Sequence, residues 1–254
     1  MRSVGIDLSS EPSGTGLAVL VGGPGHARLE EVRTNVGDGA LLEALAEAEA
    51  DNAALDCPLG WPDDFLRFLI EHRDGSVVRR EGKGVIWRRD LSQRATDQHV
   101  QKHTGVRPLS VSADRIGAVA MRAADLQAAL AEQGRPVDRA GGWLVEVYPA
   151  AALKGWGLAH QSYKSAAKAQ SRSVLVDELM TRTPWLDWAG HDQSCRASDD
   201  ALDAVLCAVL ARLAGQGRTV PPTEEHREQA SREGWIHLPS DSGDVGLTSG
   251  RRLP

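Results

Sequence analysis

The sequence predicts an α/β fold: a mixed five-stranded sheet, its first three strands antiparallel and its later ones parallel, flanked by helices and carrying a helical insertion. Three observations predict it. Apolar runs at 2–8, 15–22 and 27–35 are joined by short turn-forming segments, as in a hairpin-connected meander. A helical pattern at 38–50 then precedes a fourth apolar run, NAALDC, and an intervening helix lets a later strand run parallel to the first. Near the C-terminus, ASDDALDAVLCAVLARLAG (197–215) is a long apolar helix with a polar start.

The elements follow in order. RSVGIDL (2–8) is a buried strand whose end carries Asp7. TGLAVLVG (15–22) is the second strand, GGPG (22–25) a tight turn, and ARLEEVRTN (27–35) the returning third. Asp38 opens the helix of 38–50, with Leu41, Leu42 and Leu45 at helical spacing. The fourth strand ends at Asp56 and is broken by Pro58, Gly60 and Pro62. Residues 63–111 are less regular, rich in Arg, and read as an insertion. SADRIGAVAMRAADLQAALAEQ (112–133) is amphipathic, with Ser112 as its expected cap and Gly134 as its stop. GGWLVEVYP (141–149) is the fifth strand, stopped by Pro149. Helices follow at 169–182 and 197–215, the latter capped by Ser198 and ended by Gly215. EGWIHLP is strand-like, and the Ser/Gly-rich end (241–254) reads as a flexible tail. The organisation expected is one domain over 1–240 with its insertion at about 63–111.

The 254 residues suffice for one large domain, and 41% hydrophobic with 25% charged residues is a globular mixture. A net charge of −6 argues against a protein that coats nucleic acid through overall basicity. Cys57, Cys195 and Cys207 are odd in number and lack CxxC spacing, so neither a disulfide framework nor a zinc site is expected. The cytosol is the expected compartment. No signal pattern and no apolar run near the roughly 20 residues of a membrane span are present.

Three strands end in an acid: Asp7 in GIDLSS, Asp56 in LDCPLG and Glu146 in VEVYP. If those strands are parallel neighbours, the acids gather at one sheet edge, where open α/β sheets place their sites. The last long helix begins with Asp199, Asp200 and Asp203, and the latter two share a face. Crowded carboxylates raise one another's pKa and cost stability unless a cation joins them. An all-oxygen set suits Mg²⁺ or Mn²⁺, and two such ions about 3.5–4 Å apart support phosphodiester cleavage. The candidate catalytic residues are therefore Asp7, Asp56, Asp200, Asp203 and Glu146, with the first four as metal ligands. Plainer roles stand beside these: turn caps for Asp7 and Asp56, a helix-dipole role for Asp199, a solvated face for Asp200 and Asp203, and solvent for Glu146, which alternation places either there or at the site.

GIDLSS with TGLAVL, LDCPLGWP, RATD, VEVYPAAAL and DDALDAVLCAVLA together resemble the family catalogued as domain of unknown function 429, over residues 2 to 240 or so. That resemblance implies a ribonuclease-H-like fold and nuclease activity. DDALDA is also similar to the last helix of the bacterial Holliday-junction resolvases. There, the first strand, the fourth strand and that helix supply the metal-binding acids, which by motif are Asp7, Asp56, Asp200 and Asp203 here.

The basic stretch 79–108 gathers Arg88 and Arg89 beside Trp87, a combination suited to a phosphate backbone and a stacked base. Arg94 and Asp97 are candidates to pair at the rim of the site, and Lys164 in QSYKS is a candidate to meet a phosphate, with a solvated lysine as its plainer and favoured reading. These five, Arg88, Arg89, Arg94, Asp97 and Lys164, are the substrate-binding candidates. The bland alternative is a solvated insertion with Trp87 in the core and a surface ion pair of little worth. The function expected is metal-dependent cleavage of nucleic acid, DNA or RNA, with Mg²⁺ or Mn²⁺; the partner is that nucleic acid, with a homodimer open. One alternative is a non-catalytic nucleic-acid-binding or interaction module on the same fold. Another is an ATP-dependent phosphotransferase of actin-like type, disfavoured because no second copy of the opening strand and turn is found.

Overall fold

The computed structural model describes residues 1–46, 50–78 and 84–240. Strand β1 (Arg2–Asp7) pairs antiparallel with β2 (Gly16–Gly23), which pairs antiparallel with β3 (His26–Thr34). Helix α1 (Asp38–Ala46) returns the chain to β4 (Ala50–Asp56), parallel to β1. The insertion folds as α2 (Asp63–Arg73), α3 (Gly84–Ser92) and α4 (Ala95–Thr104), followed by α5 (Ile116–Glu132) and by β5 (Leu144–Glu146), parallel to β4. Next come α6 (Pro149–Gly155), α7 (Ala169–Arg182), β6 (Leu186–Asp187), α8 (Asp192–Ala197) and α9 (Asp199–Gly215). The chain closes with β7 (Thr219–Val220), α10 (Glu224–Glu233) and β8 (Leu238–Pro239).

The main sheet has the order β5-β4-β1-β2-β3-β6. It is the mixed, ribonuclease-H-like sheet expected, with a sixth strand in place of a five-stranded limit. β6 pairs parallel with β3 through Ala27↔Leu186 and Arg28↔Asp187 only, and two residues give no alternation to read. A separate antiparallel pair joins β7 and β8. Among the described residues no helix is long and apolar enough to cross a membrane.

The period-two geometry of strands sorts the core into two layers. Val4, Ile6, Leu17, Ala53 and Leu55 face α1 and α5, meeting Leu41, Leu45, Leu126 and Leu130. Ala18, Leu20 and Ala54 face the other way, onto α9. Every residue of α9 from Ala201 to Leu213 is buried, as for a helix enclosed on all sides. The sheet takes one side, and Leu175, Val176 and Cys195 of α7 and α8 belong to the same core. Gly5 and Gly16 permit this seating. A Cβ on Gly5 would lie 2.0 Å from the Ala208 backbone nitrogen, and one on Gly16 would lie 2.2 Å from the Asp200 carbonyl oxygen.

Several boundaries differ from expectation. The 112–133 helix begins at Ile116, and Ser112 does not cap it. Asp114 Oδ2 instead accepts from Ser110 N at 2.7 Å, and Ser110 Oγ accepts from Ala113 N at 3.0 Å. Such side-chain bonds hold a turn and compete with helix. The fifth strand shrinks from 141–149 to Leu144–Glu146, and Pro149 starts α6, a position that needs no amide hydrogen. The helix of 38–50 runs to Ala46, and residue 50 already belongs to β4. The expected tail at 241–254 lies outside the described residues.

Candidate functional site

Asp7 and Asp56 are direct register partners on β1 and β4. By alternation each continues the face of its strand that packs on α9, Asp7 after Gly5 and Asp56 after Ala54. The close seating of α9 on Gly5 and Gly16 brings its first turns to the same edge. Ser198 caps the helix, its Oγ accepting from Ala201 N at 3.4 Å, so the chain enters α9 with Asp200 and Asp203 on the side of the sheet. Ligand oxygens of Asp7, Asp56 and Asp203 all lie within 4.8 Å of one another. Asp203 is fully buried; Asp7 and Asp56 are partly open.

Asp200 stands one step outside this trio. It is half-buried, shares a hydrogen bond with Ser198, and adds negative potential at Asp7. Asp199 turns away, accepting from Ser165 N at 3.2 Å and lying 3.6 Å from Arg172. Of these two neighbours, Asp200 therefore belongs to the acid edge.

A loop not singled out as a unit in the sequence closes over the trio. Tyr163 donates its hydroxyl to Asp203 Oδ1 at 2.9 Å. Lys164, half exposed, places its ammonium 2.5 Å from Asp203 Oδ2. Ser162 and Ser165 flank this pair at φ of 61° and 80°, a left-handed backbone that non-glycine residues adopt at a cost and only when their surroundings enforce it. Arg172 supplies the enforcement. Buried on α7, it donates to the carbonyls of Tyr163, Ser165, Arg196 and Ala197, tying the loop to the approach to α9. A buried guanidinium spending its donors on four carbonyls has no sequence signature. Tyr163 was visible only as the neighbour of Lys164 in QSYKS.

Glu146 faces the other layer of the sheet, although its charge is felt at Asp56. It alternates with Leu144 onto the α5 side of the sheet, and it is paired in register with Leu55, not Asp56. Its oxygens accept from Arg94 at 2.6 and 2.8 Å and from Leu59 N at 3.0 Å. Arg94 also binds Asp97 at 2.9 Å, and all three side chains are 1–2% exposed. Asp97 further accepts from Arg94 N at 2.8 Å, closing the start of α4. The RATD segment therefore forms a buried ionic brace and not a rim pair, and Glu146 serves that brace. Arg88 and Arg89 are exposed on α3, also apart from the acid trio. Trp87 is half-buried edge-on against Phe68 at 5.7 Å, so it is not an open stacking platform.

The electrostatics fit the geometry. Burial, then Asp203 and Asp56, push the Asp7 carboxyl well above its ordinary range. Burial lifts Asp56 to about 7, against the pull of Lys164 and with help from Asp203. Burial also raises Asp203, opposed by Lys164 and Tyr163. Desolvation disfavours the Lys164 ammonium, but Asp203, Asp56 and Asp7 outweigh it and hold the charge firmly. Oxygen ligands on one octahedral Mg²⁺ or Mn²⁺ stand about 2.9–4.1 Å apart, given bonds of about 2.0–2.1 Å. The trio's all-oxygen chemistry suits such an ion, and its oxygens, all within 4.8 Å of one another, would draw together on binding it. An ion held there would displace the Lys164 ammonium from Asp203.

No curated protein and no solved structure matches the chain. A family model described as protein of unknown function (DUF429) matches residues 5–227. The chain belongs to that family.

Proposed function

We propose that this protein is a metal-dependent nuclease or phosphodiesterase that cleaves nucleic acid by two-metal-type chemistry with Mg²⁺ or Mn²⁺. The observation that carries the reading is the convergence of Asp7, Asp56 and Asp203, from three distant segments, to within 4.8 Å. Each is held in a setting that makes its lone negative charge costly. Asp7, Asp56 and Asp203 would hold the first ion, and Asp200 supplies a ligand at the open side. Bound there, the ions would activate water and stabilise the leaving oxygen. Tyr163 orients the Asp203 carboxylate. Lys164, released from Asp203, has the reach and charge to meet a substrate phosphate. The buried free thiols Cys57, Cys195 and Cys207 support a reducing, cytosolic setting.

The Lys164–Asp203 pair favours a second reading, because an internal ammonium can neutralise the cluster without any ion. In that case the chain is a non-catalytic nucleic-acid-binding or interaction module. Labelled single-stranded, duplex and branched substrates incubated with Mn²⁺ separate the two. The nuclease reading expects cleavage by the wild type, lost in Asp7→Asn and Asp200→Asn. Failure to cut any substrate, with no rise in melting temperature on adding Mn²⁺, selects the non-catalytic reading.

A further inference from the structure

The insertion contains a groove of about 580 Å³ between α2, α3 and the segment after α4. Arg88, Arg89 and Arg107 line it, and no carboxylate does among the described residues, although the chain as a whole carries a charge of −6. Neither Arg88 nor Arg107 has an ion-pair partner among the described residues; Arg89 has only Asp90, at 3.8 Å. One wall is apolar, formed by Phe65, Phe68 and Leu91.

Gln93 is the telling residue. It lies at 3% exposure between this groove and a neighbouring one lined by Asp64, Asp90 and Glu233, and among the described residues neither its amide nitrogen nor its amide oxygen has a hydrogen-bond partner. Ser112, on the same groove, has a buried hydroxyl with no partner among the described residues. Buried polar groups are normally satisfied, and leaving them unmade is costly. Two such groups beside three arginines offer a ligand in the groove a donor and an acceptor as well as positive charge. A primary amide offers a donor and an acceptor side by side, the arrangement that matches a nucleobase edge. Arginines alone would suit any anion. The amide adds the base edge, and Phe65 in the apolar wall adds a ring for the base face.

We propose that this groove binds a nucleoside phosphate, with Gln93 reading the base and Arg88, Arg89 and Arg107 holding the phosphate. Gln93 immediately precedes Arg94, which clamps Glu146, and Glu146 is paired in register with Leu55 beside Asp56. One buried ionic brace therefore runs from the edge of the groove to β5, the strand beside that of Asp56. The identity of the ligand rests on the nucleic-acid reading of the acid site, but its binding does not require cleavage.

The test is fluorescence anisotropy of the full chain, without divalent metal, using short labelled single strands of each of the four bases. Arg88→Ala with Arg107→Ala should weaken all four strands and reduce the salt slope by about 0.7 per arginine removed. Gln93→Leu should leave general binding intact and erase a base preference of about 5- to 150-fold, with melting temperature unchanged or raised. Gln93→Asn should do the same through a shortened reach. Free 5′-mononucleotides serve as competitors: displacement assigns the groove to a single nucleotide, and no displacement assigns it to a strand. Either result supports the proposal. It is overturned if no strand or nucleotide binds, if the arginine variants bind like wild type, or if an acidic peptide displaces the strand equally well. It is also overturned if Gln93→Leu lowers the melting temperature while base preference persists. Asp7→Asn is the separating control. Groove binding intact with no cleavage in the wild type rejects the nuclease alone; cleavage without groove binding rejects the groove alone.

Discussion

Lys164 and Asp203 form a 2.5 Å ion pair in which the lysine is half exposed and the aspartate wholly buried. The loop that carries the lysine is held in a costly backbone by Arg172, so the pair is positioned and not incidental. Its ammonium stands beside the same carboxylate that a divalent ion would need, so an ion bound there would compete with the lysine for Asp203.

From that competition, Lys164→Met should bind Mn²⁺ more tightly than wild type in the absence of substrate and should be less stable without metal. Calorimetric titration and thermal melting measure the two effects. Weaker Mn²⁺ binding in this variant would show that the lysine assists the ion.

Tyr163→Phe removes the bond that orients Asp203 Oδ1 and leaves the ring in place. Loss of a group that orients a metal ligand costs about 10- to 100-fold in affinity. Mn²⁺ titration should show a fall in that range with a melting temperature close to wild type.

Asp56 sets a pH dependence. Its pKa is raised by folding to about 7, so between the unfolded value near 3.8 and about 7 the folded state binds more protons than the unfolded one. Metal-free stability should therefore fall as pH rises through that window, and Asp56→Asn should flatten the fall. Mn²⁺ competes with those protons and should bind more tightly towards the top of the window. Denaturant melts at several pH values check the sign; a wild-type stability that rises over the same window would oppose it.

Arg94→Met leaves Glu146 and Asp97 buried without their cation. Breaking a buried pair by removing one partner costs about 3–5 kcal/mol. Glu146→Gln should also lower stability, yet leave Mn²⁺ affinity within a few-fold of wild type if Glu146 belongs to the brace alone. A large loss of affinity would return Glu146 to the acid site.

Gly16→Ala forces a methyl group into the Asp200 carbonyl. Overpacking of this kind costs about 1–3 kcal/mol, and the displaced start of α9 should weaken Mn²⁺ binding as well. Urea unfolding and metal titration on the same variant report both.

Much of this was legible in the chain itself, for identifiable reasons. Asp7 and Asp56 end apolar runs of clear period, and Asp200 and Asp203 open a capped helix, so topology alone brings them to one edge. Glu146 carried the same strand-end signal. Its parity relative to Leu144, however, sends it to the opposite layer, and which face of a three-residue strand meets α9 is a property of the assembled sheet. Arg94 and Asp97 showed their pairing through i,i+3 spacing, but their burial depends on Glu146, 52 positions after Arg94. Arg172 works through backbone carbonyls, which any sequence possesses, and the Ser162 and Ser165 conformations follow from packing and not from local preference.

The most direct test is a crystal structure of the full chain grown with Mn²⁺, read by anomalous scattering. A manganese peak bonded to Asp7, Asp56 and Asp203, with the Lys164 ammonium moved off Asp203, is the result expected. No peak at a saturating manganese concentration, with Lys164 still seated on Asp203, would contradict a metal centre at this edge.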